Sequence, residues 1–93
     1  MFNYTNITAA APTTTVVKTG IGDFNGITIN KATANAVITI YDGTDANGTV
    51  IGTITMPATL LANQDFLPYN VSFRKGLTIV TATAAQDLTV SYR

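Results

Sequence analysis

AVITIYDGTDANGTVIGTITM, residues Ala36 to Met56, sets two runs rich in Val, Ile and Thr on either side of a string of turn residues. In the first run Ile38 and Ile40 fall on one face and Thr39 and Tyr41 on the other. In the second, Val50, Ile54 and Met56 alternate with Ile51, Thr53 and Thr55. Alternation with a period of two marks half-buried strands, and the residues between them mark a reversal, so the stretch predicts a β-hairpin. Its connection, Asp42 to Gly48, supplies Gly for positive φ and Asp and Asn for side-chain turns, and is longer than a two-residue tight turn. Gly52 falls on the core side of the alternation, which predicts a bulge or a close backbone approach.

Outward from the hairpin the same signal continues. Strands are predicted near Thr14 to Lys18, Phe24 to Asn30, Ala36 to Tyr41, Val50 to Met56, Phe66 to Phe73, Gly76 to Ala82 and Asp87 to Arg93. The last three alternate most cleanly: Leu67, Tyr69, Val71 and Phe73, then Leu77 and Ile79, then Leu88, Val90 and Tyr92 form the expected core side. Pro68 cannot donate to a ladder, so its strand either lies at an edge or begins after it. Helix has little room; Pro57 to Ala62 could make one turn with Pro57 at its first position. The expected fold is all-β: an antiparallel β-sandwich, jelly-roll-like, of about seven strands.

Residues 1–15 follow no single period, and Pro12 disfavours helix at Ala11. They are expected to form an extended N-terminal arm, with the sandwich domain spanning 16–93. Phe2, Tyr4 and Ile7 would be apolar residues outside the core, available to a neighbouring subunit.

Composition narrows the chemistry. Of 93 residues 11% are charged and 46% hydrophobic, and the net charge is zero, so Thr, Asn and Ala dominate the surface and self-repulsion is weak. Five basic residues scattered from Lys18 to Arg93 cannot build a phosphate-tracking stripe, so nucleic acid is not an expected partner. Neither an apolar run of membrane-spanning length nor a signal peptide is present, so no membrane partner is expected and synthesis and assembly in the cytosol are.

Cysteine, histidine and glutamate are all missing, which removes disulfides, the usual general base and the usual metal ligands. No Ser or Thr has a predictable base beside it; catalysis, cofactors and a metal site are not expected. Asp45, Asn47 and Gly48 fit three positions of a calcium loop, but that register puts Gly43 at the first ligand and Ile54 at the last, so the motif fails. Asn3, Asn6, Asn47 and Asn70 each begin an N-x-[ST] match, as expected from Asn and Thr abundance alone. Tyr41, on the face opposite Ile38 and Ile40, more often covers a sheet flank or interface than binds sugar.

Several strand and turn segments carry a resemblance: Val17-Lys-Thr-Gly20, Gly26-Ile-Thr-Ile-Asn30, Ile38-Thr-Ile-Tyr-Asp42, Gly48-Thr-Val-Ile51, Tyr69-Asn-Val-Ser-Phe73, Gly76-Leu-Thr-Ile-Val-Thr81 and Asp87-Leu-Thr-Val-Ser-Tyr-Arg93. In these the chain resembles small Thr-rich β-proteins encoded among the virion genes of tailed bacteriophages, over about four-fifths of its length. The resemblance implies a capsid decoration or cement protein, bound to the major capsid protein and forming a homo-oligomer, with a trimer the expected form. Its alternatives are a receptor- or carbohydrate-binding module and a small tail or head-tail accessory subunit. Phe2, Tyr4, Ile7, Tyr41 and Arg93 are the candidate interface residues.

Overall fold

The computed structural model describes residues 2–8, 12–56, 65–83 and 86–93. Eight strands run β1 (Asn3–Ile7), β2 (Thr13–Thr19), β3 (Gly22–Lys31), β4 (Val37–Asp42), β5 (Thr49–Thr55), β6 (Asp65–Phe73), β7 (Gly76–Ala82) and β8 (Asp87–Tyr92). Among the described residues there is no helix. The turn expected at Pro57 to Ala62 lies outside them.

The strands form two antiparallel four-stranded sheets, β1-β8-β3-β6 (sheet A) and β2-β7-β4-β5 (sheet B). First pairs with last, second with seventh, third with sixth and fourth with fifth. The chain therefore behaves as one long hairpin whose innermost pair is β4–β5, the stretch with the clearest local signal. Seven strands coincide with the predicted ones to within two residues at each end. Pro68 stands on β6, an edge of sheet A, the first of the two placements its missing N–H allows.

Both sheets turn their apolar faces to one core. Sheet A contributes Ile7, Phe24, Ile27, Ile29, Phe73, Leu88 and Val90, and sheet B contributes Ile38, Ile40, Leu77 and Ile79. The inner strands β3, β8, β4 and β7 carry most of it, because an inner strand is flanked on both sides as well as covered. The last three strands thus share the core with β3, which supplies three of its residues.

Two departures from the sequence reading affect function. Asn3–Ile7 lies along β8 in register Asn3↔Tyr92 to Ile7↔Leu88 and buries Ile7, so the segment expected as an arm adds a strand to its own sheet. Pairing there satisfies the backbone groups that face β8, and the core takes up its one inward aliphatic side chain. The second departure is in β5. Ile40 pairs with Gly52 and Tyr41 with Val50, so Ile51 is the extra residue of a bulge and the alternation slips. A one-residue slip exchanges the two faces. Val50, expected inside, is 52% exposed, while Ile51 packs against the core. Gly52 is where the bulged edge meets the other sheet: a Cβ there would run into the Tyr69 ring, 2.9 Å from Cε2.

Candidate functional site

The antiparallel registers build the outer face of each sheet row by row. On sheet B, Val16, Thr78, Tyr41 and Val50 form one row across all four strands, and Thr14, Val80, Thr39 and Thr53 form the next. Ala82, Val37 and Thr55 continue the pattern over three strands. No Asp, Glu, Lys, Arg or His stands among these residues. Val16 and Val50 mark the outer margins of the face at 47% and 52% exposure. Thr78 is the exception within it, fully buried because its Oγ1 donates 2.7 Å to the carbonyl of Gly43, which folds over that end of the sheet.

Sheet A presents different chemistry. Tyr4, Ser91, Gly26 and Pro68 form one row, and Asn6, Thr89, Thr28 and Phe66 form the next. Side-chain amides tie the strands together across this face. Asn6 Nδ2 donates to Asp87 Oδ1 (2.9 Å), the Leu88 carbonyl (2.9 Å) and Thr89 Oγ1 (3.3 Å). Asn30 Nδ2 reaches Asp87 Oδ1 and Thr89 Oγ1 at 3.2 and 2.9 Å from the other side, and Asn25 Nδ2 donates to Ser91 Oγ at 3.3 Å.

The five expected interface residues do not converge. Ile7 is in the core. Tyr41 is half-buried on the sheet-B face, between Thr78 and Val50. Phe2, Tyr4 and Arg93 belong to the sheet-A side, and two of them meet: the Arg93 guanidinium lies 5.0 Å from the centroid of the Phe2 ring. Arg93 Nε also donates to Asp23 Oδ2 at 3.0 Å, and the backbones of Asp23 and Arg93 exchange both hydrogen bonds, extending the β3–β8 ladder past β8. With Phe24, Asn25 and Asn70 these residues line a cleft of about 190 Å³.

Each carboxylate whose surroundings are described serves the fold. Asp23 is held below its ordinary pKa, first by the hydrogen bond from Arg93 and then by that from Ser72 Oγ. Asp42 accepts from the backbone N–H groups of Lys75 (2.9 Å) and Arg74 (3.0 Å), fastening the turn that carries the chain from sheet A to sheet B. Those amides, Lys75 foremost, lower its pKa despite partial burial. Asp45 Oδ1 accepts from the Asn47 N–H, the side-chain turn its position predicts. Among the described residues no group of three or more His, Cys, Asp or Glu could hold a metal ion.

No family model, curated protein or solved structure matches this chain. The two outer faces, their rows and their charge are therefore what any functional reading has to use. Residue-by-residue reading of the sequence misses both faces, since strands distant in sequence assemble them. The uncharged Thr and Val residues flanking Tyr41 were the available signal for sheet B; Asn6, Asn25 and Asn30, placed against β8, were the signal for sheet A.

Proposed function

We propose that this chain is a non-enzymatic structural protein of a bacteriophage particle, a capsid decoration protein that docks on the major capsid protein lattice. The observation that carries the reading is the strand order. Two sheets ordered 1-8-3-6 and 2-7-4-5 support reading the sandwich as a jelly roll, an architecture used by viral capsid domains and by lectins. Fold alone assigns no role, so the site must supply the rest. The sheet-B face supports docking, because a surface of Val and Thr without charges loses little hydration when covered.

Its size bears on the assembly. Four strands about 4.8 Å apart and about seven residues long offer a projected footprint of roughly 450 Å², a modest single contact. A closed homo-oligomer, a trimer by this reading, would hold through several such contacts at once. The protein would then be made in the host cytoplasm and reside in the virion.

Cryo-electron microscopy of phage particles purified from the host that makes this chain tests the proposal. Density for the two-sheet domain is expected on the head, with the sheet-B face toward the lattice, and Val50→Lys is expected to reduce its occupancy. Particles that lack the protein would refute the reading.

A further inference from the structure

The outer face of sheet A is unlike the docking face. From its geometry we infer that it is a binding platform for an uncharged oligosaccharide chain. Tyr4 is 75% exposed and Phe66 47% exposed, and both stand on the outer side of edge strands. Phe66 does not stay at its edge. Its Cζ and Cε1 lie 2.7 and 2.9 Å from where a Cβ of Gly26 would be, so the ring leans across β3 over the one position in its path without a side chain. That brings the second aromatic plane to about two strand spacings, or roughly 10 Å, from β1. The gap between the planes has the scale of a short run of pyranose rings. Aromatic planes of this kind present an apolar face while hydroxyls and amides beside them satisfy polar edges.

The polar groups in the gap fit the same occupant. Asn6, Asn25 and Asn30 all donate through Nδ2 to groups of the protein itself, which fixes their planes, and among the described residues no donor is seen on any of their Oδ1 atoms. Sugar hydroxyls are donors and acceptors in equal measure, and the hydroxyls of Thr28, Thr89 and Ser91 complete the set. Charge selects among ligands: neither central row contains a Lys or Arg, so the phosphates of a nucleic acid strand would find no counter-charge there. An apolar protein surface would offer the Oδ1 acceptors no donor.

This inference stands apart from the docking proposal, which uses sheet B, so each can fail alone. The test is a glycan array of neutral and anionic oligosaccharides, followed by calorimetry with the best neutral glycan and with a thymidine oligomer. The expected result is binding of a neutral glycan at micromolar to millimolar Kd, weakened about three- to tenfold by Tyr4→Ala and by Phe66→Ala. Circular dichroism of both variants should match wild-type, and Val50→Lys on the opposite face should bind like it. Tyr4 is exposed enough that its replacement leaves the fold intact, so the result does not hinge on Phe66→Ala. Absence of any neutral glycan binding, binding indifferent to Tyr4→Ala, or equal affinity for the thymidine oligomer would overturn the inference.

Discussion

Replacing Ile7 by Ala separates a strand from an arm. Ile7 is 4% exposed, pairs with Leu88 at the end of β1 and belongs to the shared core. The substitution removes three carbons from that core, worth about 0.8 kcal/mol each, or about 2.4 kcal/mol in transfer free energy. Larger losses arise where a cavity persists, but an edge strand can settle inward, so the cost should lie near the lower end of the 2–5 kcal/mol seen for such truncations. For a domain of this size about 2.4 kcal/mol corresponds to a fall in Tm of about 10–20 °C. It would also take a large share of a total stability of roughly 5–14 kcal/mol. The assay is thermal and urea unfolding followed by circular dichroism, with Tyr4→Ala as the control on the same strand. Tyr4 points outward and is 75% exposed, so its change should stay within about 0.5 kcal/mol. If Ile7→Ala were as mild as Tyr4→Ala, β1 would not be part of the folded unit in solution. The same reasoning means that deleting residues 1–11 does not isolate docking, because it uncovers β8 as well.

Two further expectations concern single side chains. Asp42 has a folded-state pKa below its unfolded value, so the stability it confers is present above about pH 4 and is lost as pH falls through the lowered folded value. Asp42→Asn should therefore unfold at lower urea than wild-type at pH 7, with the difference closing below about pH 4; a pH-independent difference would show that the carboxylate charge is not what holds the Arg74–Lys75 turn. Thr81 is 1% exposed, and its Oγ1 has no hydrogen-bond partner among the described residues. Thr81→Val should stabilise the protein by about 1 kcal/mol, read as a rise in urea midpoint, because it removes an unmet hydroxyl at nearly constant volume; a fall would mean that the hydroxyl is satisfied.

Where sequence reading succeeded and where it stopped has a physical pattern. Strands such as Val37–Asp42 and Gly76–Ala82 announce themselves because alternation and β-branched residues are local properties. β1 does not, since only Ile7 of its five residues is a core aliphatic and its partner is β8, more than eighty positions along the chain. The bulge at Ile51 was foreshadowed by Gly52, but which neighbour would change face depends on where the ladder slips, and that is decided by pairing with β4. Arg93 was anticipated as an interface residue, while its partners Phe2 and Asp23 come together only through the β1–β8–β3 ladder.

The same distinction explains why so plain a composition yields two unlike faces. Thr, Val and Asn are scattered along the whole sequence, but the long-hairpin pairing sorts them. β8, the strand between β1 and β3, brings Thr89, Ser91 and Asp87 within reach of Asn6 on one side and Asn25 and Asn30 on the other. β4, between β7 and β5, brings Val37 beside Ala82 and Thr55, Thr39 beside Val80 and Thr53, and Tyr41 beside Thr78 and Val50. The bulge in β5 matters here, because it decides which apolar residue borders the sheet-B face: in an unbroken ladder Ile51 would stand beside Tyr41 and Val50 would turn to the core. The hairpin of Ala36 to Met56 therefore does more than reverse the chain. Its irregularity chooses which side chain borders one of the two surfaces, and neither surface has a charged group in its central rows to draw a partner by long-range attraction.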